Sequence, residues 1–367
     1  MYLARKDLRA ARGRFALVGI VIGLIAFLAT MLAGLANGLV DDGISGLREL
    51  PISHMAFAEN SQAVFSRSIL TEEELAAYQE VTDEATPVGA SFFNARPADD
   101  SGDGEAIDIV LFGVDDDGFL ADASEAGAAV DATRSLDGGL VLSHEFSDKA
   151  AVGDEFTIVG TDITLPVIGF TFSGTYGHVP IAYTSLSTWQ DLLYGDDADG
   201  RFSAVAIGEG DETALEAAAG QSGTELLTKT EAYAGSPGYT AESATMTLIR
   251  GFLLVISALV VGAFFTVWTI QRTRQIGLLK ALGASSGYII RDALGQLLVV
   301  LIIAVTIGSA AAFGMGAIIG DEAPFNLSFG SVLWTAGILT FVGMAGSLVA
   351  LRRITSVDPA ISLTAGV

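Results

Sequence analysis

Cysteine is absent from the 367 residues, so no disulfide can brace any part of the chain and each folded region has to bury a core of its own. Cationic residues are scarce as well: 19 Lys and Arg stand against 43 Asp and Glu, for a formal net charge of −24. That balance excludes a nucleic-acid surface. The three histidines, His54, His144 and His178, are widely spaced and read as isolated structural or surface residues rather than a zinc or catalytic cluster, so no metal site is expected. No Gly-x-x-x-x-Gly-Lys-Ser/Thr sequence occurs, and Gly277 to Gly283 has no lysine-hydroxyl pair after its second glycine, so nothing cradles nucleotide phosphates. A Gly-x-Ser-x-Gly nucleophile elbow is missing too. The chain reads as a non-enzyme with no intrinsic cofactor. Asp115-Asp-Asp-Gly118 lacks the alternating ligand positions of a calcium loop and is read as a turn. No internal repeat is found.

Long uncharged runs are what the chain does have. Phe15 to Val40, Gly251 to Gln271, Ala293 to Gly320 and Ala323 to Leu351 each reach the roughly 20 residues a helix needs to cross a hydrocarbon core about 30 Å thick. Four spanning helices are therefore expected, and with 51% hydrophobic residues a soluble-core reading of all four is discarded. The first run is too long for a signal peptide and leads into no typical cleavage site, so it is expected to stay in the mature protein. Charge then sets orientation. Arg5, Lys6, Arg9, Arg12 and Arg14 precede the first run, Arg272, Arg274, Lys280 and Arg291 separate the second and third, and Arg352 and Arg353 follow the fourth. The positive-inside rule puts these segments and both termini in the cytoplasm of a plasma-membrane protein. Asp41 to Ser243 holds 38 of the 43 acidic residues and 7 of the 19 basic ones, a formal charge of −31, and belongs outside.

The expected layout is a cytoplasmic amphipathic segment 1–14, a first span 15–40, an extracytoplasmic domain 41–243 and a second span 244–271. A cytoplasmic segment 272–292, a third span 293–320, a fourth span 323–351 and a cytoplasmic tail 352–367 complete it. Within 41–243, Thr71-Glu-Glu-Glu74 forms a capping box that starts a helix. Ile107 to Val114 alternates as a strand, and Phe156 to Val159 with Ile163 to Phe170 reads as a hairpin. Val179 to Tyr183, Phe202 to Ile207 and Glu225 to Leu227 read as further strands, with helices at Ser185 to Tyr194 and Asp211 to Ala219. The fold class is thus an α-helical membrane protein with four transmembrane helices and a mixed α/β domain inserted between helices 1 and 2.

The segment Arg272-Thr-Arg-Gln-Ile-Gly-Leu-Leu-Lys-Ala-Leu-Gly-Ala284 is basic and amphipathic. As a helix it places Ile276, Leu279 and Leu282 on one side, with Arg272 and Lys280 elsewhere, and Gly283 ends it. A helix lying on the membrane surface, its cations meeting lipid phosphates, and a helix docked in a protein groove both satisfy that pattern. In the first span, Gly19, Gly23, Ala26, Thr30, Gly34 and Asn37 form a small-residue stripe that implies close helix packing, within the chain or between copies.

These residues resemble the MacB/FtsX-like permeases of ABC transporters. Arg272 to Ala284 is similar to the family's Arg-x-Arg-Glu-Ile-Gly-x-Leu-Lys/Arg-Ala-Leu-Gly-Ala pattern, with Gln275 where glutamate is usual; Val152-Gly-Asp154, Pro166-Val-Ile-Gly169 and Val357-Asp-Pro-Ala360 match further landmarks. The resemblance implies that Arg272, Arg274, Ile276, Leu279, Lys280, Leu282 and Gly283 couple to a separate cytoplasmic ATPase, present in two copies and itself binding ATP and Mg²⁺. It also implies a homodimer. The compact outer domain and the lack of a fused ATPase resemble the permeases that export heme, which makes heme the expected transported substrate. No charge lies within the uncharged runs, which argues against an ion relay and for an amphipathic cargo. At 1.5 Å per residue Met31 lies about 24 Å above Phe15, and the second span begins near Met246 with Glu242 and Tyr239 above it. Thioether, carboxylate and phenolate all bind heme iron, so Met31, Tyr239, Glu242 and Met246, beside Phe27 and Phe252, form the candidate pocket. Each also has an ordinary reading as gap filler, solvated carboxylate or interface anchor. Two other functions stay open. One is a division-type permease that moves nothing and switches an external cell-wall hydrolase through an apolar patch such as Phe92-Phe93 and Phe170 to Tyr176; the other is a relative that exports lipoprotein, peptide or drug.

Overall fold

A computed structural model describes residues 12–98, 105–120, 136–271, 278, 282–319 and 324–355. The chain divides into two units, one built from residues 1–39 and 243–367 and the other from residues 40–242. The elements in chain order are helix α1 (Arg12–Arg48), strand β1 (His54–Ala58), α2 (Glu72–Gln79), β2 (Ala85–Pro97), β3 (Ile107–Val114), β4 (Leu140–Ser143), β5 (Glu155–Ile158), β6 (Thr164–Thr171), β7 (Thr175–Tyr176) and β8 (Val179–Ser185). Then come α3 (Leu186–Tyr194), β9 (Ala204–Ile207), α4 (Glu212–Ser222), β10 (Thr224–Thr228), α5 (Lys229–Ala232), α6 (Tyr239–Gln271), α7 (Ser286–Ile319) and α8 (Phe329–Thr355).

In the inserted unit the described strands form one mixed sheet in the order β10-β1-β9-β2-β3-β8-β4-β6-β5, with β7 paired to β8. The long β2 pairs with β9 at its start and with β5 at its end, so that β2, β3, β8, β4, β6 and β5 close on themselves. Closure removes two exposed strand edges. The expected strand over Ile107 to Val114 and the 156–170 hairpin are present, as is the Thr71 capping box, in which the Glu74 carboxylate accepts from the Thr71 amide at 2.8 Å. The Asp115 to Gly118 segment is a turn closed by Gly118 N–H donating to the Asp115 carbonyl at 3.0 Å.

Two close approaches fix the layers on this sheet. Gly89 and Gly113 face each other across β2 and β3, and the buried Trp189 of α3 lies where a Cβ on either would stand. Elsewhere, Ile44, Leu47 and Leu50 at the end of α1 pack with Val110, Phe112, Ile181 and Tyr183 in a buried cluster. The last turns of α1 thus belong to the core of the inserted unit.

Among the described residues, the helices long and apolar enough to cross a membrane are Ala16–Arg48, Tyr239–Val267, Gly287–Ile319 and Phe329–Leu348. Both α1 and α6 run past the uncharged stretches, since a helix continues for as long as its hydrogen bonds are satisfied and its side chains find water or partners. The fourth helix starts at Phe329, later than the uncharged run at Ala323. Pro324 to Ser328 is not helical, with Asn326 N–H donating to the Gly34 carbonyl at 3.0 Å, and the Ser328 hydroxyl accepts from Ser331 N–H at 3.1 Å to cap α8.

The small-residue stripe on α1 is used inside the chain. A Cβ on Gly308 of α7 would collide with the Gly23 carbonyl, one on Gly34 would overlap Phe325, and one on Gly38 would overlap the Pro324 backbone. Thr30 and Ser309, both buried, share a hydrogen bond of 3.0 Å. Gly316 is filled by the Phe325 ring, so this glycine too faces the chain's own loop. Val18, Ile22, Ala26 and Ala29 complete the contact with Leu297, Leu301, Ala304 and Val305 of α7. Gly308→Leu is expected to force α1 and α7 apart and to lower stability by about 3 kcal/mol or more, as overpacking against backbone does. Gly314, with nothing within 4 Å of its built Cβ, is the control: Gly314→Leu should leave thermal unfolding in detergent nearly unchanged.

Candidate functional site

The end of α1, the start of α6 and the tip of the β7–β8 hairpin meet in the inserted unit. Tyr176 pairs with Val179, leaving Gly177 and His178 as a two-residue connection with φ of 60° and 64°. Positive φ at both positions is the type I′ hairpin geometry, in which glycine is at ease and histidine is strained by about 1 kcal/mol. What offsets the strain is visible. His178 Nδ1 lies 2.7 Å from Asp42 Oδ2 of α1, and its Nε2 lies 3.1 Å from Glu242 Oε1 of α6. Gly177 N–H donates to the Gly43 carbonyl at 2.9 Å, and the Ser236 hydroxyl donates to that same carbonyl at 2.6 Å. Thr175 Oγ1 also donates to the Asp42 carbonyl.

Electrostatics follow from this arrangement. Burial alone would lower the His178 pKa, but hydrogen bonds to and the charges of Asp42 and Glu242 outweigh it and raise the value above its ordinary 6.5. Glu145 is raised by burial first and then by the negative charge of Asp42. Glu242 stands in the first turn of α6, where the helix dipole favours a carboxylate. Its Oε2 is buried and has no hydrogen-bond partner among the described residues, so one oxygen is committed to His178 and the other is not.

The remaining expected site residues fall as follows. Tyr239 opens α6 and its ring sits edge-on to Tyr233 at 6.0 Å. Met246 is one turn after Glu242 on the same helix, and Phe252 further along is 60% exposed. Met31 and Phe27 are half-buried on α1. Arg250 of α6 donates to Ala33 and Asn37 of α1. Of the coupling segment, Arg272, Arg274, Ile276, Leu279 and Lys280 lie outside the described residues. Leu282 is 78% exposed, and Gly283 has φ of +92°, as a helix-ending glycine should. Of the aromatic patch, Phe92 is exposed, Phe93, Phe170 and Phe172 are half-buried, and Tyr176 is buried.

Two residues were not picked out by sequence reasoning. His178 was read as one isolated histidine of three, yet Tyr-Gly-His-Val between apolar strand residues carried the signal of a two-residue turn. Arg250 sat just outside the uncharged run Gly251 to Gln271, although α6 is continuous through it.

Residues 247–359 match the FtsX-like permease C-terminal family. Two proteins named as hemin transport system permease HrtB align along nearly the whole length: one from Staphylococcus haemolyticus is 24% identical over 98% of each chain, and one from Staphylococcus epidermidis is 21% identical over the same shares. The chain is thus similar to FtsX-like permeases, which are membrane subunits of ABC transport systems and work with an ATPase partner. A solved structure of the periplasmic region of MacB from Actinobacillus actinomycetemcomitans is 13% identical, covers 51% of this chain and 94% of that one, and gives a TM-score of 0.36.

The His178 bonds give this permease a pH signature. Because the folded pKa of His178 is raised, its contribution to stability is fully present below 6.5 and is lost as pH rises through the folded value. His178→Gln is expected to lose roughly 1 kcal/mol at pH 5.5, after solvent screening of a side chain 32% exposed, and much less at pH 9. Thermal unfolding of the two proteins at the two pH values measures this; an equal gap at both would show that the histidine charge is idle.

Proposed function

We propose that this permease exports heme. Two copies of the chain and two copies of a separate cytoplasmic ATPase form the working unit in the plasma membrane, with both termini cytoplasmic and the acidic inserted unit outside. The observation that carries the reading is the alignment, over 98% of each chain, with proteins named as hemin transport permeases. Direction and orientation rest on the distribution of charge, with 38 of 43 acidic residues between positions 41 and 243. The dimer rests on the family resemblance, because the α1 stripe is occupied by α7 and the Pro324 to Ser328 segment.

The start of α6 supports a heme-binding role. Tyr239, Glu242 and Met246 follow one another along its first two turns, and each offers an atom that binds iron. The Oε2 of Glu242 has no hydrogen-bond partner among the described residues, which leaves that oxygen for a ligand. Phe252, Phe27 and Met31 are expected from the sequence to add apolar surface and a thioether for a ring system. ATP and Mg²⁺ act on the partner subunit, and the chain itself needs no cofactor.

The test is purification with the partner ATPase, followed by a hemin titration. A Soret band that saturates and ATP hydrolysis that rises with hemin are expected; a complex that takes up no hemin defeats the reading. Within it, Glu242→Ala should shift the Soret band and sensitise cells to hemin, Met31→Ala should have a smaller effect, and His144→Ala none. Leu279→Asp should leave insertion and hemin binding intact while abolishing hemin-stimulated hydrolysis, because a charge forced into an apolar groove costs several kcal/mol. Full stimulation in that variant would remove Leu279 from the coupling surface.

A further inference from the structure

Arg250 lies within the apolar stretch Tyr239–Val267 of α6. Its Nη2 donates to the carbonyl of Ala33 at 3.2 Å and to Oδ1 of Asn37 at 2.8 Å, both on α1. Asn37 is oriented by a second bond, its Nδ2 donating to the Ser331 hydroxyl of α8 at 2.9 Å. The guanidinium is therefore placed by neutral dipoles from α1, and among the described residues no carboxylate forms an ion pair with it. Its Nε is buried and has no hydrogen-bond partner among the described residues. A full positive charge with an unspent donor in a low-dielectric setting is costly to keep, and such residues in spanning helices mark binding paths.

An anion answers both deficits, and the planar fork of arginine suits the two oxygens of a carboxylate or phosphate. Direction decides between them. Side chains on a helix lean toward its N-terminus, so an arginine reaching for lipid phosphate would extend along α6 toward Tyr239. Arg250 is instead bonded to Ala33 and Asn37 of α1, and it lies one turn from Met246 on its own helix. We propose that Arg250 receives a carboxylate of the transported amphipath, and so selects ring-bearing acids over their neutral esters. This rests on the heme reading, in which the carboxylate is a propionate.

The experiment uses the full permease with its ATPase in lipid nanodiscs, titrated with hemin and with hemin dimethyl ester, whose carboxylates are blocked. Wild type should bind hemin about ten-fold more tightly than the ester, as expected for one charge-assisted pair. Arg250→Gln should weaken hemin alone, narrowing the preference to about two-fold, with an unchanged Soret maximum because the iron ligands are untouched. Arg250→Lys, which keeps the charge and loses the fork, should retain about a three-fold preference, and it serves if the glutamine variant fails to assemble. A wild-type preference that survives in both variants overturns the assignment, as does equal weakening of hemin and ester. Loss of copurified anionic phospholipid from Arg250→Gln, with the hemin preference intact, would give the residue to lipid. Wild type that binds neither compound would reject the heme reading itself.

Discussion

The membrane unit depends on how closely α1 lets other backbone approach it. A Cβ on Gly308 would strike the Gly23 carbonyl, and the loop at Pro324 and Phe325 fills the space that side chains at Gly34 and Gly38 would need. In lipid there is little hydrophobic gain from helix association, so packing and hydrogen bonds between helices have to supply it. Both are present on α1. Its glycines give van der Waals contact, while Thr30 to Ser309 and Asn37 to Ser331 give polar ties at 3.0 and 2.9 Å. One helix thus organises α7, α8 and Arg250 of α6, and a bulky residue on its stripe would be felt by all three.

In the inserted unit the same helix ends in a different kind of contact. Its last turns are apolar on the side facing the sheet, where Ile44 and Leu47 are buried, and acidic at Asp41 and Asp42. Arg48 pairs with Asp41 on α1 itself, whereas Asp42 turns to His178. A hairpin tip that carries a left-handed histidine would ordinarily be replaced by asparagine or glycine, which bear φ near +60° at lower cost. Here the imidazole is the one neutral-to-cationic group between two carboxylates, and the turn geometry is what aims it at both.

How much of this was legible in the sequence depends on whether a signal was local. The four apolar helices, the Ile107 to Val114 strand, the 156–170 hairpin and the Thr71 cap all write their pattern in one unbroken stretch of sequence, and all are present. Strand β2 was not read, because Pro87 and Gly89 interrupt it and its first six residues are buried on both faces, which erases alternation. Strand β4 has four residues, all buried, too short to show a period. The helix of the fourth uncharged run begins only at Phe329; hydropathy counts Pro324 and Phe325 as apolar without asking whether they are helical. The histidine contact was out of reach for a stronger reason: Asp42, His178 and Glu242 come from three separate elements, and their meeting is a property of the folded unit.

That meeting also bears on what Glu242 can do. A carboxylate whose only acceptor sites were taken by His178 would have to break those bonds before serving a ligand, and binding would then be opposed by the energy of the pair. The observed geometry avoids that conflict: Oε1 accepts from the imidazole while Oε2 is left without a partner. His178 can therefore stay in place and fix the orientation of the carboxylate, much as an outer carboxylate or carbonyl fixes a metal-ligating histidine. On the heme reading, Glu242 approaches iron already oriented, and removing His178 should loosen that approach without removing the ligand. On that same reading, the strained turn at Gly177 and His178 has a use beyond stability, since it sets the direction in which the Glu242 carboxylate is held.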